Sequence, residues 1–191
     1  MTAEPAGRVM RSPNPFGRQS GGYTLEDVLK LPDDTPRVEL RDGVMILVPS
    51  PTFGHQKIGN LLWLWFRQHA PVEFEPITAA GIALSPWDTF EPDVMLLRRP
   101  VELRDHYALA DQVLIAVEVV SPSTRRRDRF EKPGDYAAAG ITHYWRIEQD
   151  PVHVFAYDLV EGQYQLAGDS AEVLTLRKPF DVELRVRDIT P

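Results

Sequence analysis

The chain has 191 residues, of which 43% are hydrophobic and 26% charged, a balance typical of a globular protein with one hydrophobic core. It contains no cysteine, which excludes disulfide bonds and thiolate metal sites. The net charge of −7 argues against a protein that coats nucleic acid through bulk positive charge, although acidic metal ligands would contribute to the same total.

The N-terminal segment lacks the apolar run of a signal peptide, and the longest apolar stretch, IGNLLWLWF, is about half the length needed to span a bilayer. We therefore expect a cytoplasmic protein without membrane contacts. Residues 1–21 are rich in Pro, Gly, Ser and Arg and show no periodicity. We expect a disordered tail there and a single domain over residues 22–191.

The first half of the domain predicts helices and strands in alternation. Thr24 is a suitable N-cap for a short helix that ends before Pro32. The segment RVELRDGVMILV alternates around Asp42-Gly43, which predicts a β-hairpin. Apolar residues at helical spacing in SPTFGHQKIGNLLWLWFRQHA predict a long helix that ends before Pro71. Strands are expected near 72–76, 80–84, 93–97 and 112–119.

The second half predicts one more helix and then only strands. That helix covers DYAAAGITHYW and some part of the arginine run before it, with Gly140 as a C-cap. Pro133 is expected in its first turn, with Lys132 at the start, preceded by a turn or a short separate helix. Strands are expected in HYWRIE, PVHVFAYDL, QYQLAG and VELRVRDI. This order of elements predicts an α/β domain with a mixed β-sheet flanked by helices.

Three charged residues stand out against this pattern. Asp93 follows Pro92 at the start of a strand, and Glu118 lies inside VLIAVEVVS, an apolar run typical of a strand covered on both faces. A buried carboxylate is unfavourable without a charged or hydrogen-bonding partner, and a divalent cation is one such partner. Lys132 follows Glu118 after fourteen positions. Two carboxylates and a lysine suit metal-assisted hydrolysis of a phosphodiester.

Each of these residues also has a simpler interpretation. Asp93 could cap its own backbone at a strand edge, Glu118 could be held by hydrogen-bond donors alone, and Lys132 could be an ordinary surface lysine. Paired carboxylates also serve glycoside hydrolysis, but the flanking residues are aliphatic rather than aromatic. A further alternative is a nuclease fold retained as a binding or regulatory module with an idle site.

The segments VELRDG, EPDV, VEVVSPST, RRRDRFEK and YAAAGITHYW follow one another in the order and approximate spacing of the Uma-type endonucleases, which belong to the PD-(D/E)XK superfamily. The resemblance runs from about Tyr23 to the C-terminus. It implies a restriction-endonuclease-like fold and a nuclease that depends on Mg²⁺ or Mn²⁺. The resemblance also implies that the substrate is a nucleic acid, with DNA as the first candidate, and it favours a homodimer.

The resemblance implies a role for individual residues. Asp93 and Glu118 resemble the metal ligands, with the backbone carbonyl of Val119 completing the site, and Lys132 resembles the catalytic lysine. Glu39 resembles an additional acidic residue of the family.

Two departures from the family pattern bear on these roles. The superfamily places its lysine two residues after the glutamate, where this chain has Val120, so the resemblance suggests that Lys132 has taken over that function through its long side chain. Glu148 stands where the family often has aspartate, and we leave it outside the site.

Other residues near these motifs are weaker candidates. Arg125, Arg126, Arg127 and Arg129 are expected to contact the phosphate backbone, with a solvated surface run as the alternative.

His55 could act as a general base or support a metal ligand through a hydrogen bond, and Tyr136 could hydrogen-bond at the site; a structural role is the alternative for both. Tyr144 and Trp145 are expected in the core. Trp63 and Trp65 lie on opposite sides of the long helix, so that one of them could contribute to a dimer contact.

Overall fold

The computed structural model describes residues 21–32, 34–102, 106–122 and 124–191. The predicted tail, residues 1–21, lies outside the described residues except for Gly21. Over the described ranges, no helix combines the length and hydrophobicity needed to cross a membrane. The helices are α1 (Leu25–Val28), α2 (Phe53–His69) and α3 (Lys132–Ala138). The strands are β1 (Val38–Arg41), β2 (Val44–Leu47), β3 (Phe74–Ile77), β4 (Gly81–Ser85), β5 (Asp88–Phe90), β6 (Val94–Arg98), β7 (Tyr107–Leu109), β8 (Val113–Val119), β9 (His143–Gln149), β10 (Val152–Val160), β11 (Gln163–Ser170), β12 (Val173–Leu176) and β13 (Val182–Arg185).

The strands form two mixed sheets and one separate hairpin. The six-stranded central sheet has the order β11-β10-β9-β8-β6-β3, with β8 and β9 parallel and the other described pairs antiparallel. The five-stranded second sheet has the order β2-β1-β5-β4-β7, with β4 and β7 parallel. The predicted α/β domain with a mixed sheet is confirmed. Strands β5, β7 and β12 were not predicted, because three or four residues are too few for a clear alternating pattern.

The local signals for helices and turns act as the sequence predicts. Thr24 caps α1 in a capping box, where its hydroxyl accepts from the Asp27 N–H at 3.4 Å and the Asp27 carboxylate accepts from the Thr24 N–H at 2.9 Å. Thr52 caps α2 in the same way, by accepting from the His55 N–H at 3.3 Å. Asp42 and Gly43 both adopt positive φ angles, 50° and 69°, which is the geometry of a tight hairpin turn.

The arginine run before α3 is helical, as one of the predicted alternatives has it, but α3 ends at Ala138 and residues 143–145 belong to β9 instead. A single π-helical turn, Arg127–Glu131, runs directly into α3, and the Lys132 N–H donates to the carbonyl of Arg127 five residues earlier. Pro133 is the second residue of α3 and has no N–H to donate to the preceding turn. The carbonyl of Asp128, five residues earlier, accepts from the Tyr144 hydroxyl instead. Asp128 and Lys132 therefore lie one helical turn apart on a continuous helical segment.

The central sheet is covered on both faces, and its strands alternate between two hydrophobic clusters. On β6, Val94 and Leu96 face α2, whereas Met95 and Leu97 face the opposite side, where α3 and the second sheet lie. On β8, the neighbours of Glu118 face α2, so Glu118 itself points to the opposite side. The alternation thus directs this carboxylate towards the helical segment that carries Lys132.

Candidate active site

A cleft of about 200 Å³ lies where the two sheets, the start of α2 and the helical segment before α3 meet. Of the seven buried polar or charged residues among those described, five line this cleft. They are Glu39 from β1, His55 from α2, Glu118 from β8, and Asp128 and Lys132 from the helical segment. Asp93, just before β6, also lines it. The fold thus brings the predicted Asp93, Glu118 and Lys132 into one cleft.

Glu118 is a buried carboxylate of the cleft with two protein partners. Its Oε1 accepts from the Lys132 ammonium at 2.8 Å and from the Tyr136 hydroxyl at 2.7 Å. The pKa of Glu118 is raised to about 8, mainly by burial and in part by the nearby Asp128 and Asp93, against the lowering effect of Lys132. Tyr136 is fully buried, so it both packs in the core and supports this carboxylate.

Lys132 also contacts a carboxylate of the second sheet. Its Nζ lies 2.9 Å from Oε1 of Glu39, so the ammonium bridges Glu39 and Glu118. Glu39 is 1% exposed, accepts from the Glu91 N–H at 3.1 Å, and forms an ion pair with Arg127. Lys132 is therefore not the ordinary surface lysine that the sequence left open, since it is 5% exposed and paired on two sides.

Asp93 is oriented through both of its oxygens. Oδ1 lies 2.7 Å from Nε2 of His55, and Oδ2 accepts from the Val119 N–H at 2.7 Å. His55, which the sequence offered as a base or as a support for a ligand, thus touches a predicted metal ligand directly. Its other ring nitrogen, Nδ1, is buried with no hydrogen-bond partner in the described residues.

Asp128 is a cleft residue that the sequence analysis missed. It is 2% exposed, and its Oδ1 is buried with no hydrogen-bond partner in the part of the chain that the structure describes. Burial raises the pKa of Asp128, whereas Lys132 lowers it. The signal that could have revealed it is its spacing, four residues before Lys132 and thus on the same helical face. In the sequence, Asp128 stands among four arginines, where an aspartate is most simply interpreted as a surface residue that offsets their charge.

The arginine run divides into two pairs. Arg127 turns inward to Glu39, and Arg129 forms an ion pair with Glu148 at 2.9 Å. Arg125 and Arg126 are exposed, and the Arg126 side chain, 88% accessible, lies 3.1 Å from Glu131. Phosphate contact by the four arginines stays a prediction, and Arg126, Arg127 and Arg129 would have to leave their carboxylate partners to make it. A further arginine, Arg37, also lines the cleft, where its Nε lies 2.5 Å from Oε2 of Glu91. The sequence analysis did not predict it as a cleft residue.

Several residues lie away from the cleft. Tyr144 and Trp145 are buried, which confirms the expectation that they belong to the core. Trp65 is buried as well, and Trp63 donates from its indole to the carbonyl of Pro76 at 2.8 Å. Trp65 therefore belongs to the core, whereas Trp63 is half-buried and a dimer contact through it stays a prediction.

The cleft has an excess of acidic side chains. Five carboxylates and three Lys or Arg side chains line it, so a divalent cation would balance the charge if all were ionised. Oxygen donors of this type suit Mg²⁺ or Mn²⁺. No three His, Asp or Glu side chains in the described ranges are already gathered as a metal-binding cluster, and the Lys132 ammonium lies between two of the carboxylates. The carboxylates are Glu39, Glu91, Asp93, Glu118 and Asp128, and the cations are Arg37, Arg127 and Lys132.

Comparison with known proteins agrees with this architecture. The fold is similar to the crystal structure of a “putative nuclease belonging to DUF820” from Anabaena variabilis, with a TM-score of 0.69, 19% identity, and coverage of 87% of this chain and 96% of the other. No curated protein matches the chain significantly. The Uma2 family, described as “Putative restriction endonuclease”, matches residues 25–187, which is most of the chain. The chain therefore belongs to the Uma2 family.

Proposed function

We propose that this protein is a nuclease that hydrolyses phosphodiester bonds in nucleic acid, with DNA as the first candidate, and that it requires Mg²⁺ or Mn²⁺. One observation carries the proposal: Asp93, Glu118 and Lys132 come from three separate elements and line a single acidic cleft. Membership of a family described as “Putative restriction endonuclease” supports the same reaction class.

The metal requirement is proposed from the donor set. Asp93 and Glu118 would hold the cation, with the carbonyl of Val119 as the further ligand suggested by the family resemblance. A bound divalent cation would supply Lewis acidity to the phosphodiester and favour ionisation of water. The carboxylate excess of the cleft, which is not balanced by its own lysine and arginines, supports this assignment.

The chain's own residues would contribute orientation and charge. The Lys132 ammonium can donate to a phosphate oxygen and stabilise the negative charge that builds up as water attacks the phosphorus and the sugar oxygen departs. Tyr136 and His55 hold Glu118 and Asp93 in place through hydrogen bonds of 2.7 Å each. Glu39 fixes the resting position of Lys132 from the other side. Arg125 and Arg126, which are exposed, are the better placed of the arginines to contact a phosphate backbone.

The test is nicking of supercoiled plasmid in the presence of Mg²⁺ or Mn²⁺. We expect the wild type to convert supercoiled to open circular plasmid, and Lys132→Ala to lose at least about 100-fold of that rate, since removal of a single charge-stabilising group has this order of effect. Lys57→Ala is the matched control, because Lys57 is an exposed lysine of α2 outside the cleft. Equal nicking by wild type and Lys132→Ala would reject the proposed role of Lys132.

A second candidate is a nuclease-fold module that binds without cleaving. The observation in its favour is that Lys132 already bridges Glu39 and Glu118, which leaves two of the acidic residues paired without any metal. This candidate predicts no nicking on any plasmid or oligonucleotide with any divalent metal. It also predicts that Mg²⁺ leaves the thermal stability unchanged, whereas a metal-binding site would raise the melting temperature by mass action.

A further inference from the structure

Asp128 has an unusual environment for an aspartate. It is 2% exposed, and Oδ1 has no hydrogen-bond partner in the described ranges. Its backbone is held on both sides: the N–H donates to the carbonyl of Thr124 at 3.0 Å, and its own carbonyl accepts from the Tyr144 hydroxyl at 2.5 Å. The carboxylate is thus kept in the cleft by contacts that do not use Oδ1.

The cations closest to Asp128 in the cleft are engaged elsewhere. The Lys132 ammonium contacts Glu39 and Glu118 at 2.9 and 2.8 Å, and Arg127 contacts Glu39. Neither forms an ion pair with Asp128 among the described contacts, although Lys132 is close enough to lower the pKa of Asp128. A buried carboxylate oxygen without a donor costs free energy unless a proton or a cation satisfies it.

The other two carboxylates proposed to bind the cation, Asp93 and Glu118, already accept hydrogen bonds from protein groups. Both oxygens of Asp93 have protein partners, His55 and the Val119 N–H. Oε1 of Glu118 is taken by Lys132 and Tyr136. Asp128 therefore has a buried carboxylate oxygen without a hydrogen-bond partner among the described residues. It lines the same cleft as the two predicted ligands.

We propose that Asp128 is a third carboxylate ligand, beside Asp93 and Glu118, for a divalent cation in this cleft. The inference rests on the proposed function, because it concerns the cation of the same site. Since no three acidic or histidine side chains of the described residues are already gathered around one point, the side chains must rotate towards the ion when it binds. The backbone contacts of Asp128 to Thr124 and Tyr144 would remain in place.

The test is calorimetric titration of MnCl₂ into the metal-free protein. Asp128→Asn keeps the shape of the side chain but removes its charge, and we expect it to bind Mn²⁺ at least about tenfold more weakly than the wild type, since even residues behind a ligand change affinity by 10–100-fold. The matched control is Glu91→Gln, which removes one negative charge from the lining of the same cleft, at a side chain already paired with Arg37. We expect the control to lose clearly less affinity than Asp128→Asn.

Each outcome has a separate meaning. If Asp128→Asn binds Mn²⁺ as tightly as the wild type, or no more weakly than Glu91→Gln does, the inference is wrong while a metal-dependent nuclease remains tenable. If the wild type itself binds no Mn²⁺, the inference and the metal requirement of the proposed function fail together.

A second measurement does not depend on the folding of a variant. Crystals of the wild type soaked in MnCl₂ would locate the ion by its anomalous scattering. A peak within coordination distance of a carboxylate oxygen of Asp128 supports the inference. A peak bound by Asp93 and Glu118, with the Asp128 carboxylate beyond coordination distance, overturns it.

Discussion

The two faces of the central sheet differ in what they bury. The face towards α2 carries a large hydrophobic cluster that includes Leu62, Phe66 and Trp145. The opposite face carries a smaller cluster around Tyr136 and Tyr144, and beside it the carboxylates and the ammonium of the cleft. Packing on the first face stabilises the fold, whereas burial of charge on the second is costly unless its partners offset it. The alternation of side chains along the strands thus separates apolar packing from the buried charge of Glu118.

The largest expected effect is on the hydrophobic face. Phe66 is fully buried in α2 and packs against Trp145, with ring centroids 5.3 Å apart. Phe66→Ala should lower the free energy of unfolding by about 4 kcal/mol, because it leaves a cavity in a close-packed cluster. Urea denaturation measures the change. Leu64→Ala, at a half-exposed position of the same helix, should change it by less than about 0.5 kcal/mol. Equal effects at both positions would contradict the assignment of the buried face.

A smaller loss is expected from breaking the ion pairs of the cleft. Lys132→Met removes the ammonium between Glu39 and Glu118 and should lower the free energy of unfolding by about 3 kcal/mol, because the buried Glu118 then lacks its cation and Glu39 keeps only Arg127. Urea denaturation in EDTA measures this change without interference from metals. The double variant Glu118→Gln/Lys132→Met should recover part of the loss. A single variant as stable as the wild type would mean that the pairs contribute no net stability.

Removal of the buried charge at Glu118 should act in the opposite direction. Burial raises the pKa of Glu118 to about 8, which means that the folded protein disfavours its ionised form. Glu118→Gln keeps an acceptor for the Tyr136 hydroxyl and leaves Lys132 paired with Glu39. We expect it to raise the free energy of unfolding in EDTA by about 2 kcal/mol and to abolish nicking. Thermal denaturation measures the first effect, and a decrease in melting temperature would argue against a stability cost at the site.

The smallest effect concerns a histidine away from the cleft. His143 of β9 is buried, and its Nδ1 lies 2.7 Å from Asp158. Burial lowers the pKa of His143 from its ordinary 6.5, because the loss of hydration outweighs the opposing effect of Asp158. Because the unfolded chain then binds a proton more readily than the folded protein, stability should fall as the pH drops below about 6.5.

His143→Gln should reduce that acid-dependent loss. Denaturation midpoints of the variant and the wild type between pH 8 and pH 5 measure this acid-dependent loss of stability. The difference between the two proteins at pH 8 gives the stability lost by removing the imidazole ring itself. Parallel pH profiles for the variant and the wild type would show that His143 makes no contribution to the acid sensitivity.

The elements that the sequence predicted correctly depend on neighbours along the chain. The Asp42-Gly43 turn, the Thr24 cap and the positive φ of Gly140 are local features, so a short window contains their cause. The missed strands β5, β7 and β12 are held by pairing with distant strands rather than by their own pattern. Their three or four residues carry too little periodicity to predict them.

The same distinction applies to the charged residues. The apolar run around Glu118 was enough to predict a buried carboxylate, because alternation and burial are properties of one strand. The ion pairs of Arg127 and Arg129 were not predictable, since their partners, Glu39 and Glu148, lie on strands distant along the chain. Asp128 was hidden for the same reason: its burial depends on elements that pack around the helical segment.

The sequence by itself thus determined the local conformations, the class of fold and the identity of the acids and the lysine that its motifs single out. Only the tertiary structure decided which of these charges meet, which are paired, and that one oxygen of Asp128 has no partner among the described residues. The physical reason is that burial and Coulomb energy depend on distance in space, which residues far apart along the chain acquire only when the two sheets and α3 pack together.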